Sequence, residues 1–130
     1  MIFGGGEKKS KQQLISVNNA GMSFIANGTI IKGNINAQSE IFIEGQFEGE
    51  ILSQSTVVIG ENGRGKGTIQ ANRMVVNGIF EGESECEIIE IMASGRHNGE
   101  IIVNELVVER GGSFVGNSRK KTNKELPNGK

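Results

Sequence analysis

Between Asn27 and Asn117 apolar and polar residues alternate in short runs, and the runs recur. A glycine followed two positions later by an aliphatic or small residue appears as Gly33-Asn-Ile35, Gly49-Glu-Ile51, Gly67-Thr-Ile69, Gly82-Glu-Ser84, Gly99-Glu-Ile101 and Gly116-Asn-Ser118. Successive markers stand 16, 18, 15, 17 and 17 residues apart. Four residues ahead of them lie Thr29, Gly45, Gly63, Gly78, Gly95 and Gly112. Alternation with a period of two, applied within each unit, sorts the apolar positions into columns. One holds Ile35, Ile51, Ile69, Ser84 and Ile101, with Ala37, Ser53, Ala71, Cys86 and Val103 beside it. A second holds Ile41, Val57, Met74, Ile89 and Leu106 next to Ile43, Ile59, Val76, Ile91 and Val108. A third runs Ile31, Phe47, Gly65, Phe80, His97, Phe114.

Three apolar faces per unit imply a coil of triangular cross-section. Such a unit is open above and below, so its inward side chains are buried only when another coil stacks on each side. Parallel pairing at about 4.8 Å makes six coils a rod roughly 30 Å long. A slip of one residue would carry Glu44 or Glu90 inward, which pins the register. The pattern therefore predicts an all-β parallel β-helix, or β-solenoid, of about six coils. Gly45, Gly63, Gly78, Gly95 and Gly112 are expected at its corners, where no β-carbon may stand in the way, with Gly45, Gly78 and Gly95 in a backbone conformation costly for other residues.

Composition agrees with strands. The chain has 17 Ile and 9 Val against 4 Leu, and branching at Cβ suits a pleated surface better than a helix. Glycine makes up 20 of the 130 residues, with one proline and no every-third register, so collagen is excluded. All 15 acidic residues are Glu, which removes the Asp on which EF-hand and kinase-type magnesium sites depend. A single Cys forms no intrachain disulfide, and no stretch is apolar enough for a membrane span or signal peptide, so a cytoplasmic chain is expected.

The net charge of −1 is unevenly spread. Residues 20–117 carry 13 Glu against 6 Lys/Arg, whereas residues 118–130 carry five Lys/Arg against one Glu. An acidic body argues against nucleic acid as a partner. Three segments follow: a disordered tail over 1–19, the β-helix over 20–118, and a disordered basic tail over 119–130.

The runs Ile41-Phe-Ile-Glu-Gly-Gln-Phe-Glu-Gly49, Thr56-Val-Val-Ile-Gly60, Ala71-Asn-Arg-Met-Val-Val-Asn-Gly78 and Glu105-Leu-Val-Val-Glu109 resemble the bactofilin family over roughly residues 22–118. With Glu90-Ile-Met-Ala-Ser-Gly-Arg96 and Glu105-Leu-Val-Val-Glu-Arg110, the likeness looks closest to the bactofilins that support helical or curved cell shape in Helicobacter-like and Campylobacter-like bacteria. The resemblance implies a right-handed β-helix that polymerises end to end without nucleotide, with like ends meeting, and that scaffolds cell-envelope and peptidoglycan-modifying proteins. It also likens Ile2 and Phe3, followed by Lys8, Lys9 and Lys11, to N-terminal segments that touch anionic inner-membrane lipid at its cytoplasmic face. A solubilising tail is the alternative for the same residues.

Candidate chemistry is sparse. His97 is the only histidine, so a multi-histidine metal site within one chain is excluded, and a structural or partly exposed turn position is expected for it. Cys86 falls among small residues and reads as buried filler. Hexapeptide acyltransferases are the enzymatic rival, but their strict six-residue step is missing here. No catalytic residue, cofactor or metal is expected. The outward glutamates, including Glu48, Glu50, Glu81, Glu83, Glu85, Glu87 and Glu90, offer solubility or an acidic face for a non-filamentous adaptor. Function is instead expected at the uncapped rod ends, around Phe24 and Ile25 at one end and Phe114 and Val115 at the other, where a second copy of the chain supplies the missing neighbour.

Overall fold

The computed structural model describes residues 22–121. Every regular element among them is a strand: β1 Met22–Ile25, β2 Ile30–Ala37, β3 Glu40–Ile43, β4 Gln46–Ser53, β5 Thr56–Ile59, β6 Arg64–Val76, β7 Ile79–Ile91, β8 Arg96–Val108 and β9 Ser113–Lys120. All pair in parallel. One stack runs β1, β3, β5 and then the C-terminal halves of β6, β7 and β8. The other runs β2, β4, the N-terminal halves of β6, β7 and β8, and finally β9. A chain that crosses each stack once per circuit and returns one layer further on is a β-solenoid, here of about six turns.

The columns expected from alternation are the rows of the ladder. Ile31, Phe47, Gly65, Phe80, His97 and Phe114 pair in succession, as do the marker glycines from Gly33 to Gly116. The uneven steps are absorbed at two corners. From short strand to long strand the chain spends two residues, Glu44-Gly45 or Asn77-Gly78, or four, as in Gly60–Gly63, Met92–Gly95 and Glu109–Gly112. From long strand to short it spends two, Gln38-Ser39 or Gln54-Ser55, or only Asn72, Glu87 or Asn104. Where the second corner shrinks to one residue, the two strands fuse into the 13-residue elements β6, β7 and β8.

The interior is mostly aliphatic. Ile43, Ile59, Val76 and Ile91 follow one another up one column, each fully buried, with Val57, Met74 and Ile89 beside them. Each such side chain contributes about 1.5–3 kcal/mol relative to exposure. Gly65 interrupts the aromatic column for a reason of volume: a Cβ there would come within 2.9 Å of the Phe80 ring, which occupies that space instead.

Two glycine sets serve different needs, which corrects the expectation of a special backbone conformation at the corners. Gly45, Gly63, Gly78, Gly95 and Gly112 stand in the turns but lack positive φ. Their requirement is space, since a Cβ on Gly78 would enter the van der Waals shell of the Gly60 carbonyl oxygen one coil below. Positive φ recurs at the marker glycines inside the strands, between 128° and 142° from Gly33 to Gly116, and is found in the turns at Gly28 and Gly111. There each glycine bends the strand between two inward faces, and from Gly49 onward the carbonyl of the preceding marker glycine fills the place a side chain would take.

The folded rod also extends beyond the expected boundary at 118. β9 continues through Arg119 and Lys120. Lys121 donates its backbone N–H to the Val103 carbonyl at 2.9 Å and its ammonium to Glu87 at 2.7 Å.

Candidate assembly interface

At the C-terminal end the core columns run out of neighbours. Leu106 and Phe114 are half-buried, and Val108, which aligns with the fully buried Ile91, is 43% exposed. The third face closes differently: Ser118 and Lys120 align with Ile101 and Val103 and end that column in polar groups. The apolar opening is therefore confined to Leu106, Val108 and Phe114. At the N-terminal end Ser23 and Ile25 are buried, and the half-buried positions are Ile31, Ile35 and Ala37. Along β9 and the last stretch of β8 at one end, and along β1 and β2 at the other, one edge of the backbone has no strand partner among the described residues.

Alternation turns two of the expected interface side chains sideways. Phe24 aligns with Phe42 and Val58 on the outer face, is 60% exposed, and packs its ring 5.6 Å from that of Phe42. Val115 aligns with Asn98 and Glu81 and is 63% exposed on the flank. Alternation had the information to place Leu106 and Val108 at the end, because they close the aliphatic column.

The acidic flank is compensated in part. Glu90 accepts from Arg73 at 2.7 Å, and Glu100 lies 3.2 Å from Arg119. Glu85 accepts from Gln70, while Glu48 sits in a row between Lys32 and Lys66. Glu87 accepts from both Asn104 and Lys121, whose hydrogen bonds hold its carboxyl below the ordinary range. Solvent-exposed pairs of this kind contribute little to stability individually, but they leave fewer free carboxylates than the sequence suggested.

His97 is a core residue rather than a turn residue. Its ring lies between Phe80 and Phe114, at centroid distances of 5.1 and 5.7 Å, and its Nε2 is 2.9 Å from the Ser84 hydroxyl. Both residues are fully buried, and Nδ1 has no partner among the described residues. Sequence reasoning missed the pairing, although the signal existed: two polar intrusions in adjacent apolar columns, one coil apart. Burial pushes the imidazole pKa down to about 4 from 6.5. The fold thus holds the ring neutral while the unfolded chain takes up a proton, so stability is full above about pH 6.5, falls with acidification, and levels off near pH 4. His97→Phe should remove the acid-induced loss between those limits, about 3 kcal/mol in all, in denaturant titrations at pH 7 and pH 4.5. An unchanged difference between the two pH values would place the acid sensitivity elsewhere.

Cys86 is equally enclosed, and burial pushes its thiol up to about 12, so it is neither nucleophile nor ligand at neutral pH. Among the described residues no cluster of three or more His, Cys, Asp or Glu is placed to hold a metal, and no helix is long and apolar enough to cross a membrane. Ile2, Phe3, Lys8, Lys9 and Lys11 lie outside the described residues. Comparison with known proteins gives a match of residues 23–119 to the family model described as "Bactofilin: Polymer-forming cytoskeletal". No curated protein and no solved structure matches significantly.

Proposed function

The chain belongs to the bactofilin family of polymer-forming cytoskeletal proteins, and from that membership we propose that it assembles end to end, without nucleotide, into filaments that support cell shape by organising envelope and peptidoglycan-modifying proteins. The observation that carries the end-to-end geometry is the gathering of the large, partly exposed core residues at the two rod ends, with Leu106, Val108 and Phe114 at one and Ile31 and Ile35 at the other, while only the small Ala71 is partly exposed between them. Junctions of either kind, unlike ends meeting or like ends meeting, bury these side chains and pair the free strand edges. Neither outcome consumes a cofactor, so assembly is governed by concentration and avidity. Gel filtration with negative-stain microscopy tests this reading: filaments without added nucleotide support it, and a monomer at all accessible concentrations refutes it.

Membrane contact by the N-terminal residues Ile2, Phe3, Lys8, Lys9 and Lys11 is part of the proposal. Two bulky side chains and three lysines bind anionic lipid weakly one chain at a time, and a filament multiplies the attachment. Deleting residues 1–12 should abolish co-sedimentation with anionic vesicles while filaments persist, and raised salt should weaken binding of the full chain. Equal binding with and without the segment would leave it a solubilising tail.

A further inference from the structure

On one flank of the rod, two outward rows cross the first four coils. The first is Ile30, Gln46, Arg64, Ile79; the second is Lys32, Glu48, Lys66, Glu81. Between them runs a groove lined by these eight side chains, with Phe47 and Gly65 completing its lining. Over these four coils both rows are complementary to their own reversal; beyond them the first continues through Arg96 and Ser113 and the second through Asn98 and Val115. Read backwards, Lys-Glu-Lys-Glu becomes Glu-Lys-Glu-Lys, so every charge meets its opposite, and Ile-Gln-Arg-Ile becomes Ile-Arg-Gln-Ile, so isoleucine meets isoleucine and glutamine meets arginine.

We propose that this flank is a lateral interface for a second copy of the chain, packed antiparallel about a two-fold axis that runs along the strand direction between the Gln46 coil and the Arg64 coil. Such an axis keeps position along the strand and reverses position along the rod, so it opposes each row to itself: Ile30 to Ile79, Lys32 to Glu81, Gln46 to Arg64 and Glu48 to Lys66, each with its counterpart on the other copy. The coil spacing is common to both rods, so the four pairings come into register together. A parallel arrangement would instead oppose the first row to the second and set Arg64 against Lys66. The contact is isologous. It is small, and exposed ion pairs contribute little singly, so it matters where end-to-end assembly repeats it along two filaments. In that respect it rests on the filament reading, whereas its orientation follows from the rows alone.

Two double variants with the parent's net charge separate specific pairing from general electrostatics. E48K/K66E preserves a charge row complementary to its reversal, and K66E/E81K makes every opposed pair like-charged. By negative-stain microscopy at low salt, the parent and E48K/K66E should show laterally paired filaments, and K66E/E81K single filaments of undiminished length. Thermal midpoints should match within a few degrees, since all the altered groups are on the surface. A readout that does not need filaments is disulfide formation in mixtures of Ile30→Cys and Ile79→Cys chains. Cross-links between the two should exceed those within either by at least tenfold, because the antiparallel fit sets like positions three coils apart, about 14 Å. Pairing of K66E/E81K equal to the parent's, or equal cross-linking within and between the two cysteine chains, would overturn the proposal. Absence of filaments with selective cross-linking would instead refute end-to-end assembly alone.

Discussion

Replacing Phe114 with arginine should leave the rod folded and abolish its filaments. The ring rests on His97 from one side and has no coil above it among the described residues, so its loss uncovers His97 but leaves the layers below in place. At a junction the same position becomes dry. An unpaired guanidinium enclosed there costs several kcal/mol, and about 3 kcal/mol already lowers each junction's association constant more than a hundredfold. A filament is a series of such junctions, so the polymer should give way to monomers or short oligomers with an unaltered β-sheet spectrum. Val108→Arg is the companion variant. Its parent side chain is 43% exposed in the isolated rod, so the substitution threatens folding even less. Filaments of normal length from both variants would place the junction away from the C-terminal coil.

Gly82→Ala should be among the most damaging small substitutions in the chain. Gly82 has φ of 137°, a region that carries strain for any residue with a Cβ. The added methyl would also collide with the Gly67 carbonyl, whose oxygen belongs to the backbone ladder and has no free path away. Strain of about 1–3 kcal/mol and a comparable overpacking cost sum to a large share of the stability of a small domain. The thermal midpoint should fall by roughly 15 °C or more. Gly28→Ala supplies the contrast: φ there is 95°, but nothing lies within 4 Å of the added methyl, so only the strain remains. Similar losses at both sites would show that the stacked carbonyl contributes nothing.

This contrast also marks how far the sequence is legible. Alternation with a period of two was enough to place Ile43, Ile59, Val76 and Ile91 in one buried column, because a single-residue slip would invert every face. The recurrence of glycine was visible too, yet its causes were not. Want of space alone at Gly78, and want of space together with positive φ at Gly82, leave the same letter in the chain, and only the backbone conformation distinguishes them. The charge flank required the neighbouring coils. Glu90 reads as one more exposed carboxylate until the register brings Arg73, 17 residues earlier, within 2.7 Å. At the ends, alternation already implied that Phe24 and Val115 face outward, but a search for bulky apolar residues near the termini favours them over Leu106 and Val108, which close the columns. His97 and Ser84 were visible as polar intrusions in their columns, but their contact depends on the reach of a side chain from one column to the next.

The central claim is that coils continue through the junction, so that one rod extends the next. Fibre diffraction from aligned filaments of the full chain measures this directly. Coil stacking along the filament predicts a reflection near 4.8 Å on the meridian. The axial subunit repeat should be about 30 Å, or about 60 Å if like ends meet. A 4.8 Å reflection on the equator would mean that the rods lie across the filament, and the end-to-end account would be wrong.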